Sequence, residues 1–256
     1  MQGETDPASL HKFMAAAVGR ITGIPGVAIA TSGPGAGNLT TGLVTATTEG
    51  DPVVALVGSV PRSQSAKKTH QSMKALEILG PTAKTATNID VEDQVAEVVL
   101  AAFRTANTNP KGSAVVSIPM DVASGKSSST AFSPPAFLAP LYGPAPTADV
   151  RTVAKMIDDA ILPVFLLGQR ASSPRIVEAL RSMLKKHKVA VVETFQAAGA
   201  IPEDLASQVF FGRVGLFRNQ TGDRLLQKSD LVIAFGYDPT EVCYKVNTVC
   251  SDVGIT

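Results

Sequence analysis

VAIATSGPGAGNLTTGLVTATTEGDPVVALVG, running from Val27 to Gly58, decides the fold of this chain. Val27 to Thr31 is short, apolar and partly β-branched, as a strand buried on both faces requires. The run Ser32-Gly33-Pro34-Gly35-Ala36-Gly37 predicts an irregular turn, because glycine tolerates positive φ and lets a ligand approach the backbone. Asn38 reads as the N-cap of a helix carrying Leu39, Leu43, Val44 and Ala46 at helical spacing. Asp51-Pro52 breaks that helix before Val53-Val54-Ala55-Leu56-Val57, a second buried strand. The whole is a βαβ unit with its glycine turn at the carboxyl end of the first strand, where open α/β sheets bind ligands. The spacing matches neither of the common nucleotide signatures. A dinucleotide fingerprint needs a third glycine where Asn38 stands, and a P-loop needs a lysine that is absent. On spacing alone, a tight structural turn and a ligand loop both remain open.

The chain has 256 residues, 23 basic and 22 acidic side chains, and a formal charge of +1. That length holds one large or two ordinary domains. Neither a basic stripe nor an Arg/Lys run points to nucleic acid or an anionic membrane. The apolar runs fall short of the ~18 residues of a membrane span. MQGETDP at the start is polar and acidic, unlike a signal peptide. Cys243 and Cys250 are too far apart for C-x-x-C, so a reducing, cytoplasmic setting is expected. With no Trp and 5% aromatic residues, there is no stacking platform for bases.

Ahead of the central stretch, a helix is expected by Phe13, with Met14, Ala15, Val18 and Ile21 buried and Gly23 as its stop. Val60 to Ser72 reads as a loop containing His70-Gln71, a pair that in a loop is most often simply solvated. Asp90 should cap the next helix with Asp93 in the capping-box position, burying Val91, Val95, Val98, Val99, Ala102 and Phe103. Ala114 to Ile118 is the last strand of the first domain. The Ser- and Pro-rich KSSSTAFSPPAFLAPLYGPAP reads as an extended linker, dividing residues 1–122 from 147–256 across 123–146. Thr147 should cap a helix with Val150, Val153, Met156, Ile157 and Ile161. Val164–Leu167, Val189–Val192 and Leu231–Phe235 read as strands, and Ser173-Pro174 starts a helix with proline at N1. Gly168 is either a plain βα turn or a nucleotide cradle, and without G-x-G spacing the former is the stronger reading. No zinc spacing and no G-x-S-x-G elbow occur. Nothing in the sequence brings Glu193 and Asp204 together as a carboxylate pair.

SGPGAGN followed by TEGDPVVALVG resembles the pyrimidine-binding (PYR) domain of thiamine-diphosphate enzymes, specifically the acetolactate synthases. FMAAAVGRITG (Phe13–Gly23), KTHQS (Lys68–Ser72), TFQAAGAIPED (Thr194–Asp204) and GRVGLFRNQTGDRLLQKSDLVIAFGY (Gly212–Tyr237) resemble the same family in the same order. The resemblance implies an α/β chain, with a partial PYR-type parallel-sheet domain followed by a partial central α/β domain. Pro34, Gly35 and Asn38 match the positions that meet the cofactor's pyrimidine ring. Gln71 matches a glutamine on the substrate side of the thiazolium. The family glutamate that hydrogen-bonds the aminopyrimidine would fall at Ala8, with Glu4 out of register, so no catalytic carboxylate is assigned.

The family's first strand and helix, and its C-terminal diphosphate-binding domain with a Gly-Asp-Gly…Asn metal motif, have no counterpart here. The only Gly-Asp pairs, Gly50-Asp51 and Gly222-Asp223, continue with Pro and Arg. The chain therefore reads as truncated, with no metal-binding residue of its own. The family uses thiamine diphosphate and magnesium, takes pyruvate to 2-acetolactate, and forms homodimers or tetramers with the cofactor at the subunit interface. FAD-containing biosynthetic relatives carry Phe-Asp-Asp-Arg where this chain has Tyr237-Asp238-Pro239-Thr240-Glu241. That departure resembles the catabolic branch, so no FAD is expected. Two functional readings follow: an acetolactate synthase represented by part of its chain, or a non-catalytic relative acting through association with other chains.

Overall fold

The computed structural model describes residues 7–133, 143–215 and 220–241. Met1–Asp6 (with Glu4), part of the Pro/Ser tract, residues 216–219 and Val242–Thr256 (with Cys243 and Cys250) lie outside the described residues. The chain divides between Tyr142 and Gly143 into two units, within the Pro/Ser tract.

The first unit is a four-stranded parallel sheet of order β1-β2-β4-β3, from β1 (Gly26–Ala30), β2 (Val53–Ser59), β3 (Thr85–Asn88) and β4 (Ser113–Pro119). Its two central strands are β2 and β4, whose near-continuous apolar runs suit burial on both faces. One face carries Ala28, Val53, Ala55, Val57 and Val115. They pack with residues of α1 (Pro7–Thr22), α3 (Thr40–Glu49) and α4 (Ala75–Leu79). The other face carries Val54, Ala114 and Val116 beneath Ala102 and Ala106 of α5 (Val95–Asn107) and Val122 of α6 (Met120–Ala123).

Helix α1 is turned from its expected orientation. Lys12, Ala15, Ala16 and Gly19 are buried, whereas Met14, Val18 and Ile21 are exposed. The small stripe lets the helix backbone lie on β1, so close that a Cβ at Gly26 would stand 2.0 Å from the Ala15 carbonyl oxygen. The larger side chains of the opposite stripe would hold the helix off. Val27 and Ile29, on the second face of β1, are also exposed, at 45% and 69%. Phe13, Met14, Val18, Ile21, Ile24, Val27 and Ile29 thus form an apolar set around an edge strand.

Three expected caps are corrected as well. Asp93 does not cap its own helix. Its Oδ1 accepts from the Ser128 N–H (2.6 Å) and its Oδ2 from the Ser128 hydroxyl (3.0 Å), which ties the start of the Pro/Ser tract to the first unit. A 3₁₀ turn at Glu92–Gln94 precedes α5, whose N-cap is Gln94, while the Asp90 carboxylate accepts from Asn88. Thr147 is the first residue of α7 (Thr147–Asp159), after Pro146 at the N-cap.

The second unit is also a four-stranded parallel sheet, of order β7-β6-β5-β8. Its strands are β5 (Pro163–Leu167), β6 (Ala190–Glu193), β7 (Phe210–Arg213) and β8 (Leu231–Phe235). Phe165, Leu167 and Val191 pack with α8 (Pro174–Lys186) and α9 (Glu203–Val209) through Leu180, Leu184, Leu205 and Val209. Val164, Leu166 and Val192 pack on the opposite face with Leu226 of α10 (Thr221–Lys228). The sequence reading missed β3 and β7, both four residues long and neither an apolar run.

Candidate functional site

The glycine turn leaves β1 at its carboxyl end and is more ordered than expected. Gly33 takes φ 65° and ψ −125°, a conformation that only glycine occupies freely, and Pro34–Gly37 then forms one turn of helix, α2, with proline at N1. Asn38 is the C-cap of α2 rather than the N-cap of α3, its N–H bonding the Pro34 carbonyl at 2.9 Å. Leu39, fully buried, anchors the junction and leads into α3. Pro34 and Asn38 are exposed, and Gly35 is half-buried.

A residue that sequence reasoning did not single out supports this turn from below. Lys12 is 3% exposed and donates from Nζ to the Asn38 carbonyl oxygen at 2.6 Å. Its stem passes Gly42, where a Cβ would stand 2.3 Å from Lys12 Cγ. The signal was present in the sequence: Lys12 shares a helical face with Ala15, Ala16 and Gly19, and a lysine on a buried face must find an acceptor.

Gln71 is brought against the turn. Its Oε1 accepts from the Ser32 hydroxyl at 3.2 Å, and a Cβ at Gly33 would stand 2.9 Å from Gln71 Cβ. Gln71 is also the single non-glycine residue with positive φ (59°) among the described residues, in the sparsely populated region that marks local constraint. Two residues earlier, Thr69 Oγ1 is buried with no hydrogen-bond partner.

Arg62, just after β2, holds the start of this loop at the carboxyl end of the sheet. Its Nε donates to Asp121 Oδ2 (2.7 Å), its N–H to Asp121 Oδ1 (3.0 Å), and Nη2 to Glu92 Oε1 (2.8 Å). The guanidinium bond keeps the Asp121 carboxyl below its usual range. Ala8, where the family glutamate would fall, lies in the first turn of α1.

A thiamine-type ring needs a narrow seat with a few neutral donors and acceptors. Exposed Pro34 and Asn38, the half-buried Gly35 backbone and the Ser32–Gln71 pair, grouped at one strand end, fit that description. A diphosphate-bound divalent ion needs oxygen ligands in a cluster. Among the described residues, no group of three or more His, Cys, Asp or Glu could hold a metal. The ring half of such a site fits these residues and the metal half does not.

In the second unit, Glu193 is buried at the end of β6 and bonded by Arg213 Nε at 3.2 Å. Burial pushes its carboxyl up, and Arg213 opposes the shift. Asp204 is exposed in α9, and the partner of Glu193 is Arg213.

Two parallel α/β units, the first with a glycine turn at a strand's carboxyl end, place this chain among the open parallel-sheet α/β proteins, which bind their ligands at that end of the strands. Residues 12–78 match the thiamine pyrophosphate enzyme N-terminal TPP-binding domain, and residues 150–252 match the central domain of the same enzymes. The chain is 46% identical over 229 residues to acetolactate synthase of Bacillus subtilis, covering 90% of this chain and 40% of that protein. It is 48% identical to the catabolic acetolactate synthase of Raoultella terrigena over the same shares, 90% and 40%. It is 34% identical to acetolactate synthase of Mycobacterium leprae over 84% of this chain and 34% of that protein. The chain belongs to the thiamine pyrophosphate enzymes, whose N-terminal and central domains together match most of its length, and over that length it is similar to acetolactate synthases. It spans about 40% of the length of the first two relatives. No helix among the described residues is long and apolar enough to cross a membrane.

Proposed function

We propose that this chain provides the pyrimidine-ring half of an acetolactate synthase site, in which two pyruvates give 2-acetolactate and CO2. The single observation that carries the reading is the exposed Pro34–Asn38 turn with Gln71 held against it, in a chain nearly half identical to acetolactate synthases. Pro34, Gly35 and Asn38 meet the ring, and Gln71 faces the substrate side. Thiamine diphosphate, when bound, supplies the carbanion equivalent that attacks the keto carbon. Lys12 and Arg62 hold the two loops in place, which is what orients a ring before reaction.

The 256 residues by themselves are expected to be inactive, because Ala8 offers no carboxylate and no residue set among the described residues could hold magnesium. Loss of such acid–base assistance costs typically ~10²–10⁴ in rate, and weak cofactor occupancy multiplies that loss. Magnesium and the diphosphate seat come from further protein, and the working form is a homo-oligomer acting in the cytoplasm without FAD. The exposed apolar side chains of α1 and of the second face of β1 support association, since exposed apolar surface and an open strand edge favour partners. That same surface supports a second reading, in which the chain acts only by associating with other chains.

Titrating 4-amino-2-methylpyrimidine into the ¹⁵N-labelled chain should shift the amides of Gly35, Asn38 and Gln71 at millimolar ligand. Shifts confined to other residues, or none, would remove the proposed ring site. Thiamine diphosphate with magnesium should give neither saturable binding at micromolar protein nor acetolactate. Magnesium-dependent saturation with acetolactate formed would overturn the expected inactivity and show that the chain supplies a catalytic carboxylate of its own.

A further inference from the structure

The second sheet has strand order β7-β6-β5-β8, so the chain runs from β5 outward through β6 and β7 and then returns to the other side of β5. Beside β5 and β8 the direction of winding reverses, and in doubly wound sheets a ligand lies in the crevice beyond such a pair. The fold therefore implies a nucleotide seat above Leu167 and Phe235, and the chain's own atoms fill it. The Gly168 N–H bonds the Phe235 carbonyl at 2.9 Å and the Arg170 N–H bonds the Gly236 carbonyl at 3.1 Å. A Cβ at Gly168 would stand 2.4 Å from Tyr237 Cα, and one at Gly236 would stand 2.3 Å from the Ala171 nitrogen. Two loops that would have to part for a ligand are thus in contact through their backbones.

The donors such a ligand would use are taken by one side chain. Glu241 Oε2 accepts from the Gln169 N–H at 2.8 Å and from the Thr194 hydroxyl at 2.6 Å, and its Oε1 accepts from the Asp238 N–H at 2.9 Å. These donors come from the loops after β5, β6 and β8, three neighbouring strands. Converging backbone N–H groups at strand ends are an anion seat. We propose that the Glu241 carboxylate is the built-in occupant of this seat, standing in for the anionic group of a nucleotide. The domain then closes on its own side chain, and nucleotides, FAD included, do not enter.

The test uses the 256-residue chain in scanning calorimetry. The wild type should show no saturable Tm shift with ADP or FAD up to millimolar concentrations. Glu241→Ala should lower the Tm by roughly 5–10 °C, as expected for lost charge-assisted hydrogen bonds in a domain of this size. Acetate or formate should restore much of that loss in a saturable way, and chloride at equal ionic strength should not. Glu241→Gln, which keeps the shape but sets an amide N–H₂ among N–H donors, should also be less stable and gain nothing from acetate. Saturable ADP or FAD binding by the wild type would overturn the proposal. So would a Glu241→Gln chain as stable as the wild type, or a Glu241→Ala loss that acetate leaves unchanged.

Discussion

Replacing Gly33 by alanine tests whether the turn and Gln71 are a matched pair. Gly33 sits at φ 65° and ψ −125°, and a Cβ there would stand 2.9 Å from both Gln71 Cβ and Gln71 O and 3.0 Å from Gln71 Cα. Holding an L-residue in that conformation costs about 1–3 kcal/mol. The contact with backbone cannot be relieved by a rotamer change, so the Gln71 segment must move and give up the Ser32 hydrogen bond, worth about 0.5–1.5 kcal/mol. Together these put Gly33→Ala at about 2–4 kcal/mol. At roughly 4 °C per kcal/mol for a domain of this size, the Tm should fall by roughly 8–16 °C. Gly37→Ala is the control, because its Cβ would meet only the tip of Met73 at 3.9 Å. It should lie within ~0.5 kcal/mol of wild type. Urea unfolding followed by circular dichroism measures both. Equal stabilities of the two variants would refute the argument that Gln71 and the turn exclude a side chain at Gly33.

Three further outcomes follow from carboxylates and the donors that hold them. Arg20→Ala should cost about 1–3 kcal/mol in urea unfolding, because it strips both charge-assisted bonds (2.8 and 2.9 Å) from Asp51, which is 3% exposed. The loss stays below that of a fully buried pair because the guanidinium is half in solvent; a loss under ~0.5 kcal/mol would show the pair to be idle. Glu193 holds its proton to a higher pH when folded than when unfolded, so its ionisation erodes stability as pH rises above the unfolded value. Glu193→Gln should therefore gain on wild type between pH 4 and pH 8, and a relative loss over that range would contradict the burial argument. Asp230 has the opposite sign: the N–H groups of Ile161 (2.7 Å) and Leu162 (2.8 Å) lower its pKa, giving stability that is lost as pH falls through the folded value. The deficit of Asp230→Asn at pH 7 should narrow steadily towards pH 3, and a deficit independent of pH would assign the loss to shape rather than charge.

The sequence by itself determined the parallel strands and the glycine turn. Val53–Val57 is wholly apolar and Ala114–Ile118 is interrupted only by Ser117, as suits strands buried on both faces, and a proline among three glycines marks the break at the strand's end. The family was legible too, because short motifs in fixed order survive where pairwise contacts cannot be seen. Which side of α1 meets the sheet was not legible. Periodicity marks apolar stripes, but close approach of the two backbones selected the small stripe of Ala15, Ala16 and Gly19 over the larger Met14, Val18 and Ile21. Asn38 and Asp93 were good caps by residue type, yet their neighbours offered other partners. The pairs that build the sites are set by tertiary structure alone. Gln71 meets Ser32 across 39 positions, Lys12 reaches Asn38 across 26, and Glu241 closes on Thr194 across 47. Local pattern carries backbone preference over a few residues, whereas these contacts exist because parallel strands align their carboxyl ends and gather distant loops at one edge of the sheet.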